Sequence, residues 1–550
     1  MSIRPVYVLA VLVVVQWLAL AVLVASIRHN GWLFYQGGDE TFYYTAGWGI
    51  AGGHLPQTSI GYGWTLLLAP IALLAGPSYL AALPAVVLLQ VLVLLPLGLV
   101  FAYGIGERVA GRWFGYTVAV GWIVAPYLAI PGFVHRFHEQ WVDQFLPQAL
   151  GLTGLSDFFA MVATAGAAWL FLRMLDTRGD GDAVLAGLLT GLSIGIKPPD
   201  VLFVAGPLLA ILVARRWRNG AVYAAAILPA ALTLAVWKER GLGHLPILGV
   251  TIVQGAAGGA SVVPPLGLSL PKSLNFDWGH LGDNMAQIRE FFWSMRLVEI
   301  LPFAGVVAVA RVSLAKALFF AGWLAAFVLV KGTSDRANVQ DGTFFRLLMP
   351  AWPAYLVLAA ALPLLVPGVA QAIRDRLPSL RPITLRSRSV LASGALLGAV
   401  PLLVLAALPI LHGRTIVSEF TNNVIVPIGG DFDLRATRSG GAVKLAWRRP
   451  AGARGAVFYR VYRSPISGQA PIGGVTGFVD GIGCLPDTGG ATACRLLMDP
   501  IAATTATTFV DRPPKQGWSY RVGLMANWVD DPTRGDVLLI GAPVRASIPG

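Results

Sequence analysis

Residues 35–44 read YQGGDETFYY and set Asp39 beside Glu40, between two glycines and a run of aromatics. A carboxylate next to a membrane is costly unless it is solvated, paired or used. Two chemistries suit this one. It could take a proton from a hydroxyl nucleophile, or with its neighbour hold a divalent metal such as Mg, Mn or Ca. Tyr35, Phe42, Tyr43, Tyr44 and Trp48 surround the pair with rings that suit both a membrane interface and the apolar faces of a sugar, and His54 follows in the same segment. A solvated loop in which Gly37-Gly38-Asp39 opens a helix accounts for the same residues without chemistry.

A second polar stretch, HRFHEQWVDQF, places His135, His138, Glu139 and Asp143 at positions i, i+3, i+4 and i+8. One helical face can carry all four. They read as acid/base groups, as metal ligands, or as the wet face of an interfacial helix; the HExxH order of a zinc protease is absent. Two cations stand at the ends of apolar runs. Lys197 closes GLSIGIKPPD, and Arg346 stands where KGTSDRANVQDGTFFRLLMPAW returns to apolar sequence, with Lys331 and Arg336 nearby. Snorkelling to the interface explains such residues, and so does a grip on a lipid phosphate, which a guanidinium makes with two parallel hydrogen bonds.

These residues must be positioned by membrane-spanning helices. The chain has 550 residues, 56% hydrophobic and 13% charged, against about 25% charged in a soluble domain. Several apolar runs reach the roughly 20 residues that cross a bilayer, the first at 5–27 and the clearest at 80–104. The first run reads as a retained span, because no small-x-small cleavage site precedes Arg28-His29-Asn30. The net charge of +13 would suggest nucleic acid in a soluble chain. Here it belongs to loops on the cytoplasmic side, so no nucleic-acid partner is expected. If 61–76, interrupted by Pro70, lies at the surface or re-enters, then GERVAGRW, RMLDTRGDGD, ARRWRNG, ARVSLAKA and RDRLPSLRPITLRSRS all face the cytoplasm. That arrangement predicts about eleven spans plus one interfacial or re-entrant helix. It places the loops at 28–62, 132–156, 238–295 and 332–346, and everything after about 412, on the outer side.

After residue 411 the pattern changes to short alternating stretches such as AVKLAW, VFYRVYRS, TTFVDRPP and WSYRVGLMAN. Period-two alternation between turn residues predicts an antiparallel sandwich. The expected division is a transmembrane domain at 1–411, a linker at 412–430 and an all-β sandwich at 431–550. The sandwich resembles a fibronectin type III module, with Trp447 as its core aromatic. Cys484 and Cys494 are the only cysteines, and an outer location permits them to form a disulfide across a loop inserted in the sandwich, worth about 2–3 kcal/mol.

Taken in order, the polar motifs resemble the GT-C superfamily of membrane glycosyltransferases, which use polyprenyl-phosphate-linked sugars and include protein O-mannosyltransferases, aminoarabinose transferases and arabinofuranosyltransferases. The likeness covers roughly residues 1–411. It rests on the acidic pair after the first span, the segment GGHLPQTSIGYGWTLLLAPIALLAG, the glycine-spaced span ending GLLTGLSIGIKPP, and Arg346-Leu-Leu-Met-Pro350-Ala-Trp-Pro353. The resemblance implies a catalytic base, or metal-bound carboxylate, at Asp39 assisted by Glu40. It implies a second acidic position at Asp143 or Glu139 and donor-phosphate contacts from Lys197 and Arg346, with Arg336 beside them. Substrate contacts are expected from Tyr43, Tyr44, His54, His138 and Glu139. Ser59-Ile60-Gly61-Tyr62-Gly63 replaces the His-Pro-Pro that such enzymes carry after the acidic pair, which argues against a close protein O-mannosyltransferase.

The implied partners are a polyprenyl-phosphate sugar and an envelope glycan, lipid or protein acceptor, with the active loops outside a bacterial plasma membrane. The sequence has no P-loop, no dinucleotide glycine motif and no GxSxG. A non-catalytic envelope glycan-binding or export partner and a transporter of lipid-linked glycan are the competing readings. A transporter would need its polar residues at mid-membrane.

Overall fold

The structure is a computed structural model that describes residues 4–26, 39–55, 60–76, 79–132, 145–242, 252–254, 260–262, 276–291, 296–340, 342–366, 368–374, 381–409, 416–419, 425–430, 432–450, 457–466, 476–484, 494–496, 498–525, 530–533 and 537–547. It forms two compact units. The first takes Met1–Arg28, Val87–Leu234 and Leu270–Val404; the second takes His29–Val86, Ala235–Ser269 and Leu405–Gly550. The segment carrying Asp39 therefore belongs to the same unit as the β-rich C-terminal region, a grouping that the linear division at 411 does not contain.

Seven helices among the described residues are long and apolar enough to cross a membrane: Pro5–Ser26, Ala81–Ala110, Asp157–Thr177, Trp217–Lys238, Leu314–Lys331, Thr343–Ala360 and Arg388–Ala407. Tyr62–Ala75, Pro198–Ala214 and Leu297–Ala310 are shorter apolar helices. Seven full-length candidates stand against the expected count of about eleven. Proline accounts for one break. Pro198-Pro199 ends the Asp180–Ile196 helix and starts a 3-10 turn, Pro198–Val204, before the Ala205–Ala214 helix; proline can neither donate the next helical hydrogen bond nor follow a helical residue without a clash. On Pro5–Ser26, Val6, Leu18 and Val22 are 62%, 62% and 70% exposed, a surface that lipid covers and water would not.

Within the first unit the Asp180–Ile196 and Trp217–Leu242 helices approach closely at glycine. A Cβ on Gly187 would lie against the Tyr223 carbonyl oxygen, and one on Gly191 would stand 2.6 Å from the Ala230 Cβ. Small residues of this kind let membrane helices bring their backbones together. The hydroxyls of Thr190 and Tyr223, 2.9 Å apart, tie the same pair.

Among the described residues, all the strands lie in the second unit. They are β1 Ile252–Gln254, β2 Ala260–Val262, β3 Ile416–Glu419, β4 Ile425–Gly430, β5 Arg435–Ser439, β6 Ala442–Ala446, β7 Phe458–Pro465, β8 Thr476–Val479, β9 Ile482–Cys484, β10 Cys494–Leu496, β11 Asp499–Thr504, β12 Thr508–Asp511, β13 Gly517–Met525, β14 Val537–Gly541 and β15 Val544–Ser547. A three-stranded sheet runs β12-β6-β5, and a ten-stranded sheet runs β11-β7-β13-β14-β4-β3-β10-β9-β8 with β15 also on β13. Where the alternation predicts a linker, at 412–430, β3 and β4 form an antiparallel pair that continues the larger sheet.

Val443, Leu445 and Trp447 from one sheet and Tyr459, Val461, Trp518, Tyr520, Val522 and Leu524 from the other fill a common core, so the alternating residues do meet face to face as a buried layer. The β8–β9 turn is Asp480-Gly481, both at positive φ, 49° and 77°, the conformation that an Asp-Gly hairpin turn favours. Arg545 on β15 donates to both oxygens of Asp480, at 2.7 and 2.9 Å. These bonds hold the Asp480 carboxyl below its usual range.

The glycine contact generates a packing prediction. Gly191→Leu must displace the Trp217–Leu242 helix and should cost about 1–3 kcal/mol, read as a lowered thermal midpoint in detergent. Gly282→Ala, at a helix position where a Cβ meets nothing within 4 Å, should leave the midpoint unchanged or raise it slightly.

Candidate functional site: a buried carboxylate with two cations

In the first unit the expected phosphate-binding cations converge on a residue that sequence reading passed over, Asp157. Its helix, Asp157–Thr177, starts after a turn held by the Gln90 side chain, which donates to the Thr153 carbonyl. Asp157 therefore stands in the first helical turn, where the helix dipole favours an anion. It is fully buried. Lys197 reaches it because Pro198 pushes the Lys197 backbone out of the helix, to φ −135° and ψ 97°. Its Nζ then pairs with Asp157 Oδ1. Arg346 arrives from the short Thr343–Leu348 helix, which starts at Gly342 in the left-handed region. Its Nε donates to Asp157 Oδ2 at 3.2 Å.

The three side chains are graded in exposure: 0% for Asp157, 13% for Lys197 and 26% for Arg346. The acid thus lies beneath the cations, and one negative charge faces two positive ones. A second buried acid lies one turn on. Asp200 is fully buried and its Oδ2 accepts the Ser193 hydroxyl at 2.5 Å. Ser193 in turn meets the Thr164 hydroxyl at 2.8 Å. The charges of Lys197 and Lys331 act on Asp200, and that of Arg336 acts on Lys331. Arg336 itself is exposed; its carbonyl accepts the Thr343 hydroxyl at 2.8 Å, which shapes the loop before Arg346. It is a neighbour of the cluster and makes no contact with Asp157 among the described bonds.

The opposite ends of the same helices carry the basic loops. Thr177, at the end of the Asp157 helix, donates to Asp182 Oδ2 at 2.9 Å, and Arg173 donates to Asp182 Oδ1 at 2.9 Å. Ile383 N–H also reaches Asp182, at 3.1 Å. Lys316 pairs with Asp176 at 2.7 Å and donates to the Arg108 carbonyl. Asn219 donates to Asp180 at 3.0 Å. All five basic loops therefore meet at one end of the first unit. A 21-residue helix, about 30 Å long, separates that end from Asp157.

The second unit holds the acidic pair. Asp39 and Glu40 form the first turn of the Asp39–Ala51 helix. Asp39 is partly exposed and Glu40 is fully buried, so the pair is not a solvated loop. Adjacent helical residues point about 100° apart, which here sends one carboxylate inward and leaves the other near the surface. No cluster of three metal-ligating side chains occurs among the described residues. Of the two carboxylates, Asp39 is the one on the partly exposed side.

Tyr43 and Tyr44 are 7% and 1% exposed. Tyr44 donates to the Gly76 carbonyl at 2.6 Å and packs on Tyr79 with ring centroids 5.3 Å apart. These two rings anchor the helix instead of lining an open wall. His54 is exposed in the turn after the helix. Lys238 is a cation that sequence reading missed: it is buried, and it donates at 2.9 Å to the Ile60 carbonyl, which also accepts the Trp237 indole at 2.8 Å. Asp143, His138, Glu139 and His135 lie outside the described residues.

No protein-family model and no curated protein matches the chain. Among solved structures, the chain is similar to the oligosaccharyltransferase AglB of the archaeon Archaeoglobus fulgidus, solved in complex with an inhibitory peptide and a dolichol-phosphate. The TM-score is 0.36 and the identity 12%, over 73% of this chain and 55% of that one. The chain thus spans about half the length of that enzyme.

Two signals could have found Asp157. Ser156-Asp157 is a helix-start dipeptide placed at the head of an apolar run, and an acid at the end of a span calls for a cationic partner. For Tyr44 the geometry predicts a structural role. Tyr44→Phe should cost about 1 kcal/mol, the worth of one hydrogen bond. The check is a lowered thermal midpoint, with the affinity for any sugar-bearing ligand unchanged.

Proposed function

We propose that this chain is a membrane glycosyltransferase that moves a sugar from a polyprenyl-phosphate donor to an extracytoplasmic acceptor. The observation that carries this reading is the pairing of Lys197 and Arg346 on Asp157, at the helix ends opposite the five basic loops. If those loops face the cytoplasm, as positive charge does in membrane proteins, the cation pair faces the outer leaflet, where a phosphate on a lipid would meet it.

In the proposed reaction Asp39 takes the proton of an acceptor hydroxyl. The acceptor oxygen attacks the anomeric carbon, and the bond from that carbon to the phosphate oxygen breaks. The bonding electron pair leaves on the polyprenyl phosphate, whose added negative charge Lys197 and Arg346 stabilise. Glu40, buried beside Asp39, supports its placement. No nucleotide is needed, consistent with the lack of nucleotide motifs in the sequence. A divalent ion at Asp39 is a further element of the proposal, and chelation during the assay tests it.

The C-terminal region is proposed to be a fibronectin type III-like module that positions the acceptor or binds glycan. The order β12-β6-β5 opposite β11-β7-β13-β14 supports that reading, with β8–β10 as an insertion. Cys484 and Cys494 are direct antiparallel partners on β9 and β10. Such partners stand about 4.5–5.5 Å apart at Cα, within the span that a disulfide bridges. We propose that they are joined.

Transfer from a panel of polyprenyl-phosphate sugars to envelope acceptors, in proteoliposomes, tests the reaction. Wild type should transfer. Asp39→Asn should lose at least about a hundredfold, and Lys197→Gln should lose activity with Asp39 intact. Unchanged transfer in Asp39→Asn would move the base elsewhere, and no transfer from any donor would favour a non-catalytic glycan-binding protein. The disulfide is checked by intact mass of the protein purified without reductant. Alkylation of both thiols before reduction would refute it.

A further inference from the structure

We infer that Asp157 is the positioning residue of the donor-phosphate site: it holds Lys197 and Arg346 at the spacing that a phosphate needs. This rests on the functional reading above. Lys197 and Arg346 come from different helices, 149 positions apart in the chain by their numbers, and nothing in their local sequence brings them together. Asp157 does so, with one oxygen for each cation: Oδ1 for the Lys197 ammonium and Oδ2 for the Arg346 Nε.

The division of bonds leaves donor capacity on Lys197, whose ammonium has three N–H groups and gives one to Asp157. Lys197 and Arg346 are both partly exposed, while the acid that steers them is fully buried and cannot itself meet the ligand. Its position is in turn fixed by the first helical turn and by the Thr153 turn on Gln90. A carboxylate in this place does two things. It offsets the repulsion that would otherwise drive two neighbouring cations apart, and it fixes their direction. A binding constellation must be held within about 0.5 Å to work, so a change of position should matter even when charge is kept.

Asp157→Glu keeps the charge and moves it by one methylene, so it tests position. Asp157→Asn keeps the size and removes the charge, so it tests the repulsion, and it also covers the case in which the longer acid does not fold. Both are made in the full chain and placed in zwitterionic lipid nanodiscs, with folding judged by thermal midpoint and gel filtration. Two quantities are read: affinity for a sugar-free polyprenyl monophosphate, and the donor KM and kcat of transfer.

The expected result for each folded variant is at least about tenfold weaker binding of the phosphate lipid. The donor KM should rise by a similar factor, more than kcat falls. For Asp157→Asn the lost placement is expected to outweigh the added net positive charge. Partial recovery in Asp157→Glu relative to Asp157→Asn would be the mark of a positioning carboxylate. Binding and KM within twofold of wild type in a folded variant would overturn the inference, leaving Asp157 as a tie between helices. If wild type itself binds no polyprenyl phosphate, while Lys197→Gln and Arg346→Gln change nothing, the functional reading fails first and the inference falls with it.

Discussion

The first unit depends on one buried charge. Asp157 has left water completely, at a desolvation cost of several kcal/mol, and only close cations can offset it. Two are supplied, by Lys197 and Arg346. The consequence is architectural. The Asp157–Thr177 helix, the Pro-Pro break after Ile196 and the Thr343–Leu348 turn must all end at one place. The glycines that let the Asp180–Ile196 helix lie against Trp217–Leu242 belong to the same requirement, since they set where Lys197 emerges.

Buried ion pairs are poor devices for stability alone, because well-packed apolar residues of similar volume often do as well or better. The grading of exposure in this cluster speaks to a different use. An arrangement that served only to tie helices would gain by sealing the cations with the acid. Here the acid is sealed and the cations are left partly open. The neighbouring Asp200, Ser193 and Thr164 extend the polar path inward along the helix, where the charge of Lys331 also reaches Asp200.

Much of this was legible in the sequence, for identifiable reasons. The long apolar runs announce themselves because the bilayer demands about 20 apolar residues whatever the tertiary context. The five basic loops were grouped by charge alone, and the hydrogen bonds from Thr177, Ile383, Lys316 and Asn219 bring them to one end. Lys197 and Arg346 stand out because cations at the edge of apolar sequence need a reason. Asp157 does not, since an acid beginning a span looks like a helix start, and its partners lie 40 and 189 positions away. The strands β3 and β4 read as linker because each is short, and their pairing with β10 and β14 is decided by distant residues. The burial of Glu40 and Tyr44 was equally out of reach: a polar residue in an aromatic segment reads as interfacial, and only the Gly76 carbonyl and the Tyr79 ring show the segment to be packed.

The split between the two carboxylates at the start of the Asp39–Ala51 helix follows from the same physics that orders the Asp157 cluster. Successive helical positions cannot share one face, so an Asp-Glu pair at a helix start is obliged to divide its work. The inward member, Glu40, is committed to the interior of its unit, where its charge or proton must be satisfied by neighbours. The outward member, Asp39, is partly exposed to solvent. A general base needs that access together with a fixed direction, and a buried neighbour one position on in a rigid helix supplies the direction. On the proposed function, then, a buried acid in each unit would set the geometry of a partly exposed group that meets the ligand.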